Sequence, residues 1–178
     1  MVAPGHFAGG YLLTKTVLYA WHLSLTPHQY DVAMAVGLIC SNAPDLDLFY
    51  FFKKRNSALL AEDESHRDLA SHAPIIWLII GALVYLSSST DYGRAIAVAL
   101  VAGSWSHFIL DSIEYGIMWL WPFHKKRFAL RQVKQKEPVE KNIWKFYWRL
   151  LWEVYVHNWT FWLEITLVAT ALIVYFRG

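Results

Sequence analysis

The chain has 178 residues, 56% of them hydrophobic and 17% aromatic, with ten tryptophans and a formal net charge of +2. A soluble domain of this length carries more charge and less tryptophan. The charge is also clumped into two segments, which points away from a water-soluble globule and toward one all-α, polytopic membrane bundle spanning residues 1–178. The small positive balance gives no ground for a nucleic-acid partner, because the basic residues collect at helix ends. Cys40 is the only cysteine, which excludes an intrachain disulfide and a thiolate zinc finger. Met1–Gly5 lacks the basic stretch and the small-residue cleavage site of a signal peptide, so the first apolar segment is expected to be retained.

In chain order, a first hydrophobic helix is expected from about His6 to Leu25, interrupted by Lys15 and His22, with Thr26–His28 as a turn. A second apolar run covers about Tyr30–Cys40. Pro44 then breaks or kinks the helix, and Leu48–Phe52 forms an aromatic cluster suited to a membrane surface. Lys53–His72 is the first charged segment. Ala73–Ser89 is a third span, and Arg94 to about Met118 a fourth, stopped by Trp119–Phe123. His124–Asn142 is the second charged segment. Ile143–Trp152, rich in Trp, Tyr, Lys and Arg, reads as an interfacial helix, and about Tyr155–Phe176 as a fifth span. With five spans, the N-terminus and both charged segments share one side. That side holds nearly all the lysine and arginine, so the positive-inside rule makes it the cytoplasm.

Toward the cytoplasmic end of the fourth span lies Gly103–Asp111, where His107 and Asp111 stand four residues apart on one helix face. An imidazole and a carboxylate in an apolar helix are costly unless something binds them. A divalent cation is one answer, and a buried His–Asp hydrogen bond between helices is the other. His6, Asp45, Asp47, His66 and His72 fall on the same side of the expected topology, so these seven residues converge at one membrane face and favour the cation. Imidazole and carboxylate without thiolate suit zinc first, with manganese or iron as alternatives. Asp45 and Asp47 form a compact dicarboxylate after a proline, with a helix cap and a solvated turn as the lesser reading. Arg67 offers a planar fork for an anionic oxygen, though it also fits an ordinary positive-inside arginine. Glu114, one turn past Asp111, could support the ligands or act as a base.

His22 and His28 lie toward the opposite face, and His124 sits in a basic loop, so none of the three is expected to ligate. Glu153, His157, Thr160 and Glu164 form a polar stripe at helical spacing. Glu164 is expected to pair with Lys15 of the first span, and Glu153 or His157 to support the metal ligands.

Pro44-Asp45-Leu46-Asp47, His66-Arg67 followed by Ser71-His72, and Ser106-His107 with Leu110-Asp111 together resemble the YdjM-type membrane proteins. Gly116 and the Leu120–Pro122–Phe123 segment extend the likeness over roughly residues 6–123. Gly5 precedes His6 where that family has threonine. The family is described as LexA-binding, inner-membrane-associated, metal-dependent hydrolases, and is distantly similar to the zinc-dependent phospholipases C and single-strand nucleases. The resemblance implies a multi-pass inner-membrane hydrolase with one to three ions, acting on a phosphoester. In that chemistry an activated water attacks phosphorus, Asp45 or Asp47 serves as base, and Arg67 neutralises developing charge. A site level with the headgroups favours a membrane lipid or other amphiphilic substrate. A metal-binding transporter or regulator without hydrolysis is the alternative. A transporter also needs ligands along the path to the far face, where only His22 and His28 lie.

Overall fold

The computed structural model describes residues 3–49, 66–131 and 142–177. Most of both charged segments therefore lies outside the described residues. The elements are α1 (Ala3–Ala20), α2 (Pro27–Cys40), α3 (Pro74–Ser87), α4 (Asp91–Asp111), α5 (Ile143–Arg149) and α6 (Trp159–Phe176). Among the described residues no strand forms; a single antiparallel bridge joins Ile117 and Phe128.

Local chemistry sets the helix ends. Thr26 caps α2 through a reciprocal capping box with Gln29, and Pro27 opens the first turn, so Thr26–His28 starts the helix instead of forming a separate turn. Thr90 caps α4 by accepting from the Gly93 N–H, with Asp91 in the first turn. α4 ends at Asp111, seven residues before the expected end of the fourth span. Gly116, at φ +83°, reverses the chain, and Leu130 and Arg131 donate to the carbonyls of Ser112 and Ile113.

Five long helices stand where five spans are expected, but length and apolarity do not make them five spans. Among the described residues only α4 and α6 qualify alone; α2 joined to residues 43–49 across a 49° bend makes a third candidate. α3 is apolar but has 14 residues, about 21 Å at ~1.5 Å per residue, against a hydrocarbon core of about 30 Å. A helix does form in the Trp-rich segment as α5, with Trp144 and Trp148 exposed, but it runs into a π-helical turn at Leu150–Tyr155. Helix resumes only at Trp159, after Asn158 in extended backbone, so the last apolar helix starts later than expected.

α4 is the centre of the bundle. It packs on α1, α2 and α3, while α1 also meets α2 and α6. Ala33, Ala95 and Ala99 are fully buried with Leu18 where α1, α2 and α4 meet. α4 crosses α2 so closely that a Cβ on Gly103 would run into the Gly37 carbonyl. Such small-residue crossings let helix backbones meet where lipid supplies no hydrophobic drive. The contact holds the C-terminal half of α4 against the C-terminal end of α2.

Candidate metal centre

Four short pieces of backbone deliver the candidate ligands. After Ser41 the chain tightens into a 3₁₀ turn, Ala43–Leu46, with Pro44 at its start; this carries Asp45 and leads into Asp47. A second 3₁₀ turn, Ala70–His72, delivers His72. The last turn of α4 supplies His107 and Asp111, and the first turn of α1 supplies His6. One donor atom each from Asp45, His72, His107 and Asp111 lies within 4.8 Å of all the others. His72, His107 and Asp111 have no exposed side-chain surface, and the Asp45 side chain is 30% exposed.

The imidazoles are held in defined orientations. His107 Nδ1 lies 2.9 Å from the Ser41 carbonyl, which only accepts, so Nδ1 carries the proton and Nε2 keeps its lone pair. Nε2 is buried with no hydrogen-bond partner, 3.5 Å from Asp45 Oδ1 and 3.8 Å from Asp111 Oδ2. His72 Nδ1 donates to Asp47 Oδ2 at 2.9 Å, leaving Nε2 3.3 Å from Asp45 Oδ1. Burial opposes the charged form of His72, but hydrogen bonds to Asp45 and Asp47 outweigh it and raise the ring's pKa above the ordinary histidine value. His6 stacks on His107 at 4.0 Å between ring centroids and brings Nε2 to 3.4 Å from Asp111 Oδ1. Arg67, itself buried, donates through Nε to Asp111 Oδ2 at 2.6 Å and lies over the Tyr115 ring at 4.1 Å.

A divalent cation fits this arrangement. An unpartnered, buried imidazole nitrogen aims at two carboxylates, and the donor set is two imidazoles and two carboxylates without sulfur. The second nitrogen of each ligating ring is tied to a carbonyl or a carboxylate, the outer support that metal-binding histidines usually have.

A family model described as YdjM inner membrane protein matches residues 1–178. The chain belongs to the YdjM inner membrane protein family. No match is found among curated proteins or among solved structures.

Of the seven residues expected to ligate, this YdjM protein gathers Asp45, His72, His107 and Asp111 into one donor group, with His6 stacked beside it. Asp47 is not in the group. Its Oδ2 accepts from both His72 Nδ1 and Ser71 Oγ, so it orients the His72 ring. His66 opens a 3₁₀ turn, and its side chain lies outside the described residues. Arg67 is engaged by Asp111 and so is built into the centre. Glu114 points elsewhere: its Oε2 accepts from Thr160 Oγ1 at 3.0 Å, tying the segment after α4 to α6.

The expected Lys15–Glu164 pair is absent. Lys15 reaches the Tyr11 hydroxyl and the Val174 carbonyl, whereas Glu164 accepts from the Gly5 N–H at 2.9 Å and from the Tyr155 hydroxyl. Glu153 pairs with Arg149, which lowers its carboxyl pKa, and His157 is exposed; neither joins the centre. His22, His28 and His124 are exposed, away from it. Two contributors have no signature in the sequence. Ser41 acts through its backbone carbonyl, and Tyr115 as a platform under Arg67.

Proposed function

We propose that the chain is a membrane-embedded, metal-dependent hydrolase that cleaves a phosphoester of a lipid or other amphiphile at the cytoplasmic membrane face. The observation carrying this reading is the four-residue donor group, in which Asp45 stands on the bend after α2 and His107 and Asp111 at the end of the apolar α4. Asp45, His72, His107 and Asp111 would hold the ion, zinc being the best match to the donors. The bound cation would supply Lewis acidity toward a water and a phosphoryl oxygen. The protein's own groups have distinct tasks. Asp47 and the Ser41 carbonyl keep both Nε2 atoms directed inward. Arg67 puts a fixed positive charge beside the carboxylates, complementary to an anionic ester. Asp45, the partly exposed member, stands where a substrate would arrive and could take a proton from water. Its neighbours Leu46 and Phe49 are exposed apolar side chains, suited to an amphiphile's chains.

The test is purified protein in lipid nanodiscs, supplied with zinc or manganese and offered phospholipids, prenyl phosphates and a soluble phosphoester. Turnover of the amphiphiles that is lost in Asp45→Asn supports the reading. Turnover of the soluble ester alone refutes the lipid assignment. Stoichiometric metal binding without turnover of any ester supports the transport or regulatory alternative.

A further inference from the structure

His6 differs from the other imidazoles of the centre. His72 and His107 are each aimed by a hydrogen bond on Nδ1, whereas His6 Nδ1 has no hydrogen-bond partner and its Nε2 only faces Asp111 Oδ1 at 3.4 Å. The ring is wholly buried and stacked on His107, so its position depends on where its backbone stands. That backbone is gripped from the far end of the chain. The Gly5 N–H, one of the first-turn donors with no acceptor inside its own helix, donates to Glu164 Oε1 at 2.9 Å. Glu164 is 4% exposed and also accepts from the Tyr155 hydroxyl of the π-helical turn. Gly5 leaves room for this grip: a Cβ there would lie 2.8 Å from Glu164 Cδ. One turn earlier on α6, Thr160 holds Glu114, three residues past Asp111. α6 thus ties down the backbone next to His6 and the segment that follows Asp111.

We propose that Glu164 is a positioning residue for the metal centre: its carboxylate sets the place of His6 against His107 and Asp111, which makes α6 part of the site. This rests on the reading of that cluster as a metal centre.

The test uses the full chain in detergent micelles, with cobalt(II) as a spectroscopic probe of ligand geometry and affinity. Folding is followed separately by circular dichroism and size exclusion. Glu164→Leu is expected to weaken cobalt binding about 10-fold, in the range seen when a supporting partner of a ligand is lost, and to change the visible absorption bands. Glu164→Gln, which keeps an acceptor for the Gly5 N–H, is expected to restore wild-type binding and spectrum. His6→Ala is expected to weaken binding at least as much, and the His6→Ala, Glu164→Leu double variant no further than His6→Ala alone. If Glu164→Leu does not fold, Gly5→Ala displaces the carboxylate from the other side and should reproduce the weakened binding. Unchanged affinity and spectrum in folded Glu164→Leu or Gly5→Ala overturns the positioning role, as do additive losses in the double variant. Both outcomes leave the metal centre standing. A wild-type protein that binds no cobalt overturns the metal centre and this inference together.

Discussion

Replacing Asp47 separates the two readings of the dicarboxylate. If Asp47 orients His72 and Asp45 ligates, the two substitutions should differ in size. In Asp47→Asn the amide oxygen can still accept from His72 Nδ1 at the native 2.9 Å, but the negative charge is gone. That same oxygen can keep the Ser71 hydroxyl, while the new amide N–H₂ falls at the buried Oδ1 position, which has no hydrogen-bond partner. Loss of such a supporting carboxylate weakens metal binding about 10- to 100-fold, or about 1.4–2.7 kcal/mol. Asp47→Asn should fall at the lower end and Asp47→Ala at the upper, because alanine leaves a buried imidazole N–H without an acceptor. Asp45→Asn removes a donor itself and should exceed both. Zinc titration against a competing chelator, on protein purified in micelles, measures all three. Equal losses for Asp45→Asn and Asp47→Asn would show Asp47 to be a ligand. Wild-type affinity in Asp47→Ala would refute the orienting role.

Three further outcomes follow from the geometry. Without metal, the raised pKa of His72 means the folded state binds that proton more tightly than the unfolded chain. Its stabilisation is complete below about pH 6.5 and fades as pH rises through the raised value. Zinc requires the neutral ring, so the melting temperature gained on adding zinc should grow from pH 5.5 to 8, and this trend should flatten in His72→Gln. Gly103→Ala should destabilise the bundle by about 1–3 kcal/mol, because the new methyl meets the Gly37 carbonyl and α2 and α4 must separate; detergent unfolding measures the loss, and wild-type stability would contradict the close crossing. Glu153→Ala should leave metal affinity and melting temperature unchanged, since Glu153 is exposed and bonds only along its own helix turn to Arg149.

The helix order and the core of the centre were legible because both depend on local pattern. Apolar runs mark helices, Pro44 marks the bend, and a four-residue step puts His107 and Asp111 on one face. The number of spans was not legible in the same way. Whether 14 apolar residues cross a bilayer depends on where caps stop the helix, and Pro74 and Ser88 bound α3 too tightly. The polar stripe from Glu153 to Glu164 assumed one continuous helix. The π-helical turn and the extended backbone at Asn158 break it, so only Thr160 and Glu164 are buried. Asp45 and Asp47 look equivalent as letters; only the 3₁₀ turn decides which joins the four-residue donor group and which accepts from His72 Nδ1. Glu164 was recognised as needing a partner, but its partner is a backbone N–H, which composition cannot point to.

The uneven exposure of the four donors bears on timing as well as affinity. Three are sealed among packed helices, and the fourth, Asp45, sits on a bend at the surface. An ion held by this group would arrive and leave beside that one carboxylate, so capture and escape would share one doorway. Such a centre can retain its ion through long periods of dilution even where equilibrium binding is modest, and a change at the bend would alter residence time before it altered occupancy.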